Sequence, residues 1–332
     1  MLQVYRIELG PMGFVSEEMC HMSALRGVTR LSVTVQFAQV EGTHFGQELM
    51  QQIELWKGQE WGMIRDKPVV NLVWQHCLPL FKQLAPQTAL EDLRLENFLQ
   101  TPNFYIRAVN GAGDDIRFEG TTQCRYEPVF FTLPIRTSDL PEACDRIPHI
   151  KAEDISIAPI LRDGESIDAI QGRVVTADGR SYYFKPRVDM REVEFERELQ
   201  VLLRIRNTGL ADQLRVPRLE GIVVSGENTI GMLINLINGT HLRSSEHIVR
   251  HDLHMRWEVQ LKGIVQELHA HDIVWGDVHP MNMMIDTESN AWAIDFGGMN
   301  NAEFVDRENR ETIEGDWQGL RRTFEDWLPN QQ

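Results

Sequence analysis

The sequence predicts an α+β protein in two parts: a mixed α and β region over residues 1–150, then, over 151–332, a run of five strands with one inserted helix that leads into a mostly helical segment. Three observations predict it. The 332 residues exceed what one hydrophobic core usually serves, so two domains are expected. The composition changes character near 135–155, where Thr137-Ser138-Asp139-Leu140-Pro141-Glu142 and then Pro148 read as a connection, which places the boundary near 150. Beyond it, apolar periodicity alternates between that of strands and that of helices in a fixed order.

Composition narrows the class before any motif does. Hydrophobic residues at 42% and charged residues at 25% are ordinary for a globular chain with material for a core. A net charge of −16 argues against a nucleic-acid binder, which needs a basic face, and against an anionic membrane surface. The cysteines, Cys20, Cys77, Cys124 and Cys144, form no C-x-x-C pair and have no histidine at zinc-finger spacing. Free thiols in a reducing compartment are expected of them. Met1 to Gly13 lacks a basic stretch followed by an apolar run, and no run of about 18 apolar residues follows anywhere. A cytoplasmic protein without a membrane span is therefore expected.

In the first region, Leu31-Ser32-Val33-Thr34-Val35-Gln36-Phe37 alternates as a half-buried strand does. Gln47 to Trp56 and Val70 to Leu84 read as helices. Tyr105 to Val109 and Pro128 to Ile135 read as strands, with Asn110-Gly111 and Gly113-Asp114 as turns. Trp56, Trp61 and Trp74 read as core or interface residues. No motif here points to a chemistry.

The second region is more regular. Ile155 to Ile160 and Ala169 to Thr176 are strand-like, and Asp178-Gly179 is a strong hairpin signal before the strand Ser181 to Lys185, stopped at Pro186. Glu192 to Arg206 places Phe195, Leu199, Leu202 and Leu203 on one helical face. Gly221 to Ser225 and Ile230 to Ile237 are strands about a Glu227-Asn228 turn. His251 to His271 is a long helix with Trp257, Leu261, Ile264, Val265 and Leu268 as its apolar stripe. Two short strands follow, Met283 to Ile285 and Ala291 to Ile294.

The chemistry is concentrated in Val274-Trp275-Gly276-Asp277-Val278-His279-Pro280-Met281-Asn282 and Ala293-Ile294-Asp295-Phe296-Gly297. Asn282 follows Asp277 by five positions, and Asp295 follows Asn282 by thirteen. An acid, an amide five residues on and a second acid in D-F-G after a short strand form the catalytic pattern of kinases. The segment resembles the G-D-x-H-P-x-N loop of the aminoglycoside phosphotransferase and choline kinase branch of the protein kinase-like superfamily. A phosphoryl group in transfer spreads negative charge, so such a site needs a divalent metal. Magnesium takes hard oxygen ligands and keeps several waters.

The resemblance implies ATP and Mg2+ as cofactors and a two-lobed kinase-like fold with a five-stranded antiparallel first lobe and a truncated helical second lobe. Asp277 would take the proton of an attacking hydroxyl, while Asn282 and Asp295 would hold metal. Lys185, at the end of a strand, would contact phosphate and pair with Glu198 on the next helix; Glu194, a turn earlier, is the rival partner. Asn235, Leu236 and Ile237, before Asn238-Gly239, would form the hinge whose backbone reads adenine. His279 would orient the loop or simply pack, and His269 would be structural. Gly315-Asp316-Trp317-Gln318-Gly319 resembles a D-x-W-x-x-G helix start, where the resemblance implies that Asp316 holds the catalytic loop; Asp316 at a helix N-terminus also reads as a plain N-cap, and the two roles are compatible.

Three features depart from the family pattern. Between Ile160 and Val174 the glycines are Gly164 and Gly172, with no G-x-G-x-x-G. Gly315 follows Gly297 by 18 positions, which leaves no room for a long activation segment. The chain ends soon after Trp327. The expected function is phosphotransfer to a small-molecule or peptide acceptor. Nucleotidyl transfer or ATP-driven condensation on the same scaffold, and nucleotide binding without turnover, are the alternatives. Oligomeric state is not legible.

Overall fold

The computed structural model describes residues 19–26, 29–57, 68–85, 93–111, 116–120, 125–127, 132–157, 171–189, 191–299 and 301–331. It is a mixed α+β protein with several sheets. Contacts divide the chain into two compact units, Met1–Phe131 with Ala152–Ile170, and Thr132–Lys151 with Gln171–Gln332. Among the described residues no helix is long and apolar enough to cross a membrane.

The first unit is built on β1 (Met19–Arg26) and β2 (Thr29–Gln36), an antiparallel pair. Strand β2 pairs in parallel with β3 (Thr101–Asn110), which pairs antiparallel with β4 (Ile116–Gly120) and β5 (Arg125–Glu127). A parallel neighbour requires a long crossover, and α1 (His44–Lys57) and α2 (Pro68–Leu84) lie within it. The expected alternation from Leu31 holds: Leu31, Val33 and Val35 are buried with Leu49, Ile53, Cys77 and Phe81 in one core. Trp74 belongs to that core, edge-on to Phe81. The strand expected over 128–135 falls partly outside the described residues. Residues 128–131 lie outside the described set; Thr132 bridges Val188, and Ile135–Arg136 forms a short strand paired with Thr229 and Asn228. Pro134, which has no N–H to donate to a ladder, lies between these two pairings. Cys124, Trp61 and the Trp56 side chain also lie outside the described residues.

The second unit contains β6 (Ile135–Arg136), β7 (His149–Lys151), β8 (Gly172–Thr176), β9 (Ser181–Pro186), α3 (Glu192–Asn207), β10 (Leu219–Ser225) and β11 (Asn228–Asn235). The strands run in the order β7-β10-β11-β9-β8 across the sheet. The β8 to β11 pairings are antiparallel, as expected, but β7 joins β10 in parallel, so the sheet is mixed. The segment expected to be a plain connection thus supplies an edge strand. The Asp178-Gly179 signal is a true hairpin: Gly179 has φ +81° and its N–H donates to the Thr176 carbonyl at 2.9 Å.

Helix α3 buries Phe195, Leu199, Leu202 and Leu203, the expected face. Next come β12 (Gly239–His241), α4 (His251–Ala270), β13 (Met283–Asp286) and β14 (Ala291–Ala293), with β12, β13 and β14 forming a small antiparallel sheet. The whole predicted stripe of α4 is buried. The last helix, α5 (Ile313–Arg321), runs on into a wider-wound turn over Arg322–Trp327.

Candidate active site

The side chains singled out from the catalytic pattern meet in the second unit, at the junction of β9, α3, the loop before β13 and the turn after β14. Lys185 alternates with buried Tyr182 and Phe184 along β9. Met232 lies across from it on β11, and at the next position Gly231, paired with Pro186, would bring a Cβ within 2.6 Å of the Lys185 carbonyl. The Lys185 ammonium forms an ion pair with Glu198 and donates a hydrogen bond to Asp295 Oδ1 at 2.9 Å.

Glu198 is 1% exposed, on the helix face that carries Leu199 and Leu202. A carboxylate so placed is costly unless paired. Burial pushes its carboxyl up from the ordinary value, and the Lys185 ammonium opposes that rise. Burial works against the Lys185 charge, yet the Glu198 and Asp295 carboxylates hold its pKa above the ordinary lysine value. At Asp295 burial again works against charge, but Lys185 and the Gly297 N–H, at 3.2 Å, keep the carboxyl below its usual range. Glu194 remains near this charge cluster: burial raises its carboxyl, and the Asp295 and Asp277 charges add to that rise. The direct pair is made by Glu198.

Asp295 adopts φ +59°, a left-handed conformation unusual for a residue with a side chain. Its neighbour Ile294 donates its N–H to the Asn282 carbonyl at 2.9 Å, which fastens the turn after β14 to the loop before β13. The Asn282 Nδ2 donates to the Asp277 carbonyl at 2.9 Å and to Asp277 Oδ2 at 3.0 Å. The amide thus spends its hydrogens on Asp277. His279 Nε2 lies 3.4 Å from Asp277 Oδ2, and His279 Nδ1 accepts the Met281 N–H at 3.2 Å. The histidine both packs and orients.

Asp316 braces the loop from beneath. It is 1% exposed and accepts the Trp275 and Gly276 N–H groups, each at 2.8 Å, with His269 Nε2 at 2.7 Å. The N-cap expected of Asp316 is instead Thr312, whose hydroxyl accepts the Gly315 N–H at 3.0 Å, while Asp316 lies inside the first turn of α5. His269 is structural, as expected.

The hinge residues are placed differently from the carboxylates. Strand β11 ends at Asn235, so Leu236 and Ile237 lie beyond it, half-buried. Asn235 accepts the Arg218 N–H on its side chain at 2.7 Å and donates its own N–H to the Arg218 carbonyl at 3.1 Å. The strand ends two residues sooner than expected. Residues 158–170, where a phosphate-covering loop would fall, lie outside the described residues.

Two contributors had no reading in the sequence. Trp275, fully buried, donates its indole N–H to the Ile294 carbonyl at 2.8 Å and so locks the Asp277 loop to the strand before Asp295. Asp286 closes the β13–β14 hairpin, accepting the N–H groups of Glu288 at 2.9 Å and Asn290 at 2.8 Å and the Trp292 indole at 2.8 Å. Its D-x-x-x-N spacing before a strand was the available signal. Burial opposes the Asp286 charge, but these donors hold its carboxyl below the ordinary range.

A depressed folded value stabilises the native state above the unfolded value of about 3.9, and the gain is lost as pH falls through the folded value. Asp286→Ala is therefore expected to cost about 1–3 kcal/mol at neutral pH. The deficit should shrink toward acid. Urea unfolding at pH 7 and pH 3 checks this, and a pH-independent deficit would contradict it.

No protein-family model matches the chain, and no curated protein matches it at a significant level.

Among the described residues no group of three or more His, Cys, Asp or Glu is arranged to hold a metal ion by itself. One carboxylate and one amide oxygen, with phosphate oxygens and water to complete the shell, is nevertheless the donor set suited to magnesium, which seldom takes an all-protein cage. Asp295 and Asn282 offer those two hard donors.

Proposed function

We propose that the second unit is an ATP- and Mg2+-dependent phosphotransferase of the protein kinase-like type, acting on a hydroxyl of a small-molecule or peptide acceptor. The observation that carries the reading is the cation Lys185, held between buried Glu198 and Asp295 while Asn282 hydrogen-bonds Asp277. The β8-β9-β11-β10 order, with α3 between β9 and β10, supports it as well.

Lys185 would present a fixed ammonium to phosphate oxygens, its position set by Glu198. Asp295 and Asn282 would hold magnesium, which neutralises charge on the phosphates and orients them. Asp277 spends Oδ2 on the Asn282 amide, so Oδ1 is the atom that would accept the acceptor hydroxyl's proton. The backbone at Asn235–Ile237 would read the adenine edge.

The test is product analysis with magnesium and ATP. ADP formation is expected, and Asp277→Ala should lower kcat by about 10²–10⁴-fold, the usual worth of a positioned base. Pyrophosphate or AMP as product would replace phosphotransfer with nucleotidyl transfer or condensation. Nucleotide binding without turnover would make the unit a binding module.

A further inference from the structure

Arg197 precedes Glu198 on α3, so its side chain leaves the helix about 100° away from that of Glu198. Its Nη1 donates to the Trp275 carbonyl at 3.2 Å and to the Phe296 carbonyl, and its Nη2 donates to the Val274 carbonyl at 3.2 Å. One guanidinium thus bridges two stretches of backbone. The first lies just before Asp277, and the second begins immediately after Asp295.

The backbone on both sides is cleared of side chains to admit it. Gly276 has φ +90° and Gly298 φ +79°. A Cβ on Gly276 would lie 3.0 Å from Arg197 Cζ, and one on Gly298 would lie 3.0 Å from Cδ and 3.2 Å from Nε. A planar fork can reach carbonyls on two loops at once, whereas the single nitrogen of lysine cannot span them.

We propose that Arg197 is a positioning residue that ties the Asp277 loop and the Asp295 turn to the helix bearing Glu198. The four charged groups, Lys185, Glu198, Asp277 and Asp295, are then aligned as one unit. The inference rests on the phosphotransferase reading. Its physical content is that misplacing either loop by about 1 Å would cost on the order of 10²-fold in rate without removing any group that contacts substrate.

The experiment uses the full chain with Arg197→Lys, Gly298→Ala and the double variant, measuring steady-state kinetics with ATP and magnesium together with amide hydrogen exchange. Arg197→Lys is expected to lower kcat about 100-fold while KM for ATP changes little. Exchange should quicken together at 274–278 and 296–298 and stay unchanged over 219–235. A Cβ on Gly298 would also meet Glu311 Oε1 at 2.8 Å, so that variant alone is ambiguous, and the coupling is what counts. The double variant should be no slower than the slower single one, because both remove the same tie.

A folded Arg197→Lys protein with unchanged kcat, or multiplicative losses in the double variant, would overturn the proposal. Wild-type protein that binds ATP without turnover would sink only the phosphotransferase reading. The exchange data then decide alone: coupled loosening of both loops upholds the tie, and no change rejects it.

Discussion

Asp295→Ala is expected to abolish magnesium-dependent ATP turnover and to weaken magnesium-dependent ATP affinity by at least tenfold. Asp277→Ala should spare affinity while losing rate. The contrast follows from where each carboxylate stands. In the proposed site Asp295 would supply one of the two protein oxygens that hold the cation, and magnesium would add affinity by joining protein and phosphates. Asp277 hydrogen-bonds the Asn282 amide, and in the proposed reaction it would be needed only when a proton moves. Removing Asp295 also frees Lys185, which loses its 2.9 Å bond but keeps Glu198, so the fold should survive. Calorimetric titration with ATP, with and without magnesium, separates the two variants. Equal magnesium-dependent affinities would contradict the assignment of Asp295 as the metal ligand.

Lys185→Met should be the most destabilising single change in the site. It leaves the Glu198 carboxylate, 1% exposed, with its cation gone. Breaking a buried ion pair from one side costs about 3–5 kcal/mol, because the remaining charge has lost its compensation. Burial already pushes the Glu198 carboxyl upward, and without Lys185 nothing of comparable strength opposes that. The variant's folded value then lies above the unfolded one, so the native state binds the proton more readily. Its deficit relative to wild type should narrow as pH falls through that folded value and widen as pH rises. Lys185→Met with Glu198→Leu should recover much of the loss, since an apolar pair of similar volume tolerates burial. Urea unfolding of the three proteins across pH 5–8 reads all of this out. A single variant as stable as wild type would show that Glu198 is not held by Lys185.

Much of the second unit was legible because local signals agree there. The stripe from Trp257 to Leu268 repeats at helical spacing and is buried throughout. Lys185 sits on a strand whose alternation shows which faces are buried, and Glu198 precedes Leu199 on the buried face of α3. Asp277, Asn282 and Asp295 could be picked out because loop chemistry depends on short spacings, which a sequence records directly. Element ends were less legible. Strand β11 stops at Asn235, short of Ile237, and Thr312 rather than Asp316 caps α5 because the helix begins earlier than the motif suggests.

Residue type and spacing by themselves determined which side chains carry the candidate chemistry, since acidity, amide and charge are properties of the residues and the apolar periods set the elements that bear them. Tertiary structure decided which of them meet. Lys185 reaches Asp295 across 110 residues, Arg197 reaches Phe296 across 99, and β7 joins β10 in parallel from a segment that reads as linker. Such contacts depend on packing a whole sheet and helix together, and the free energy that selects them belongs to no local stretch of chain.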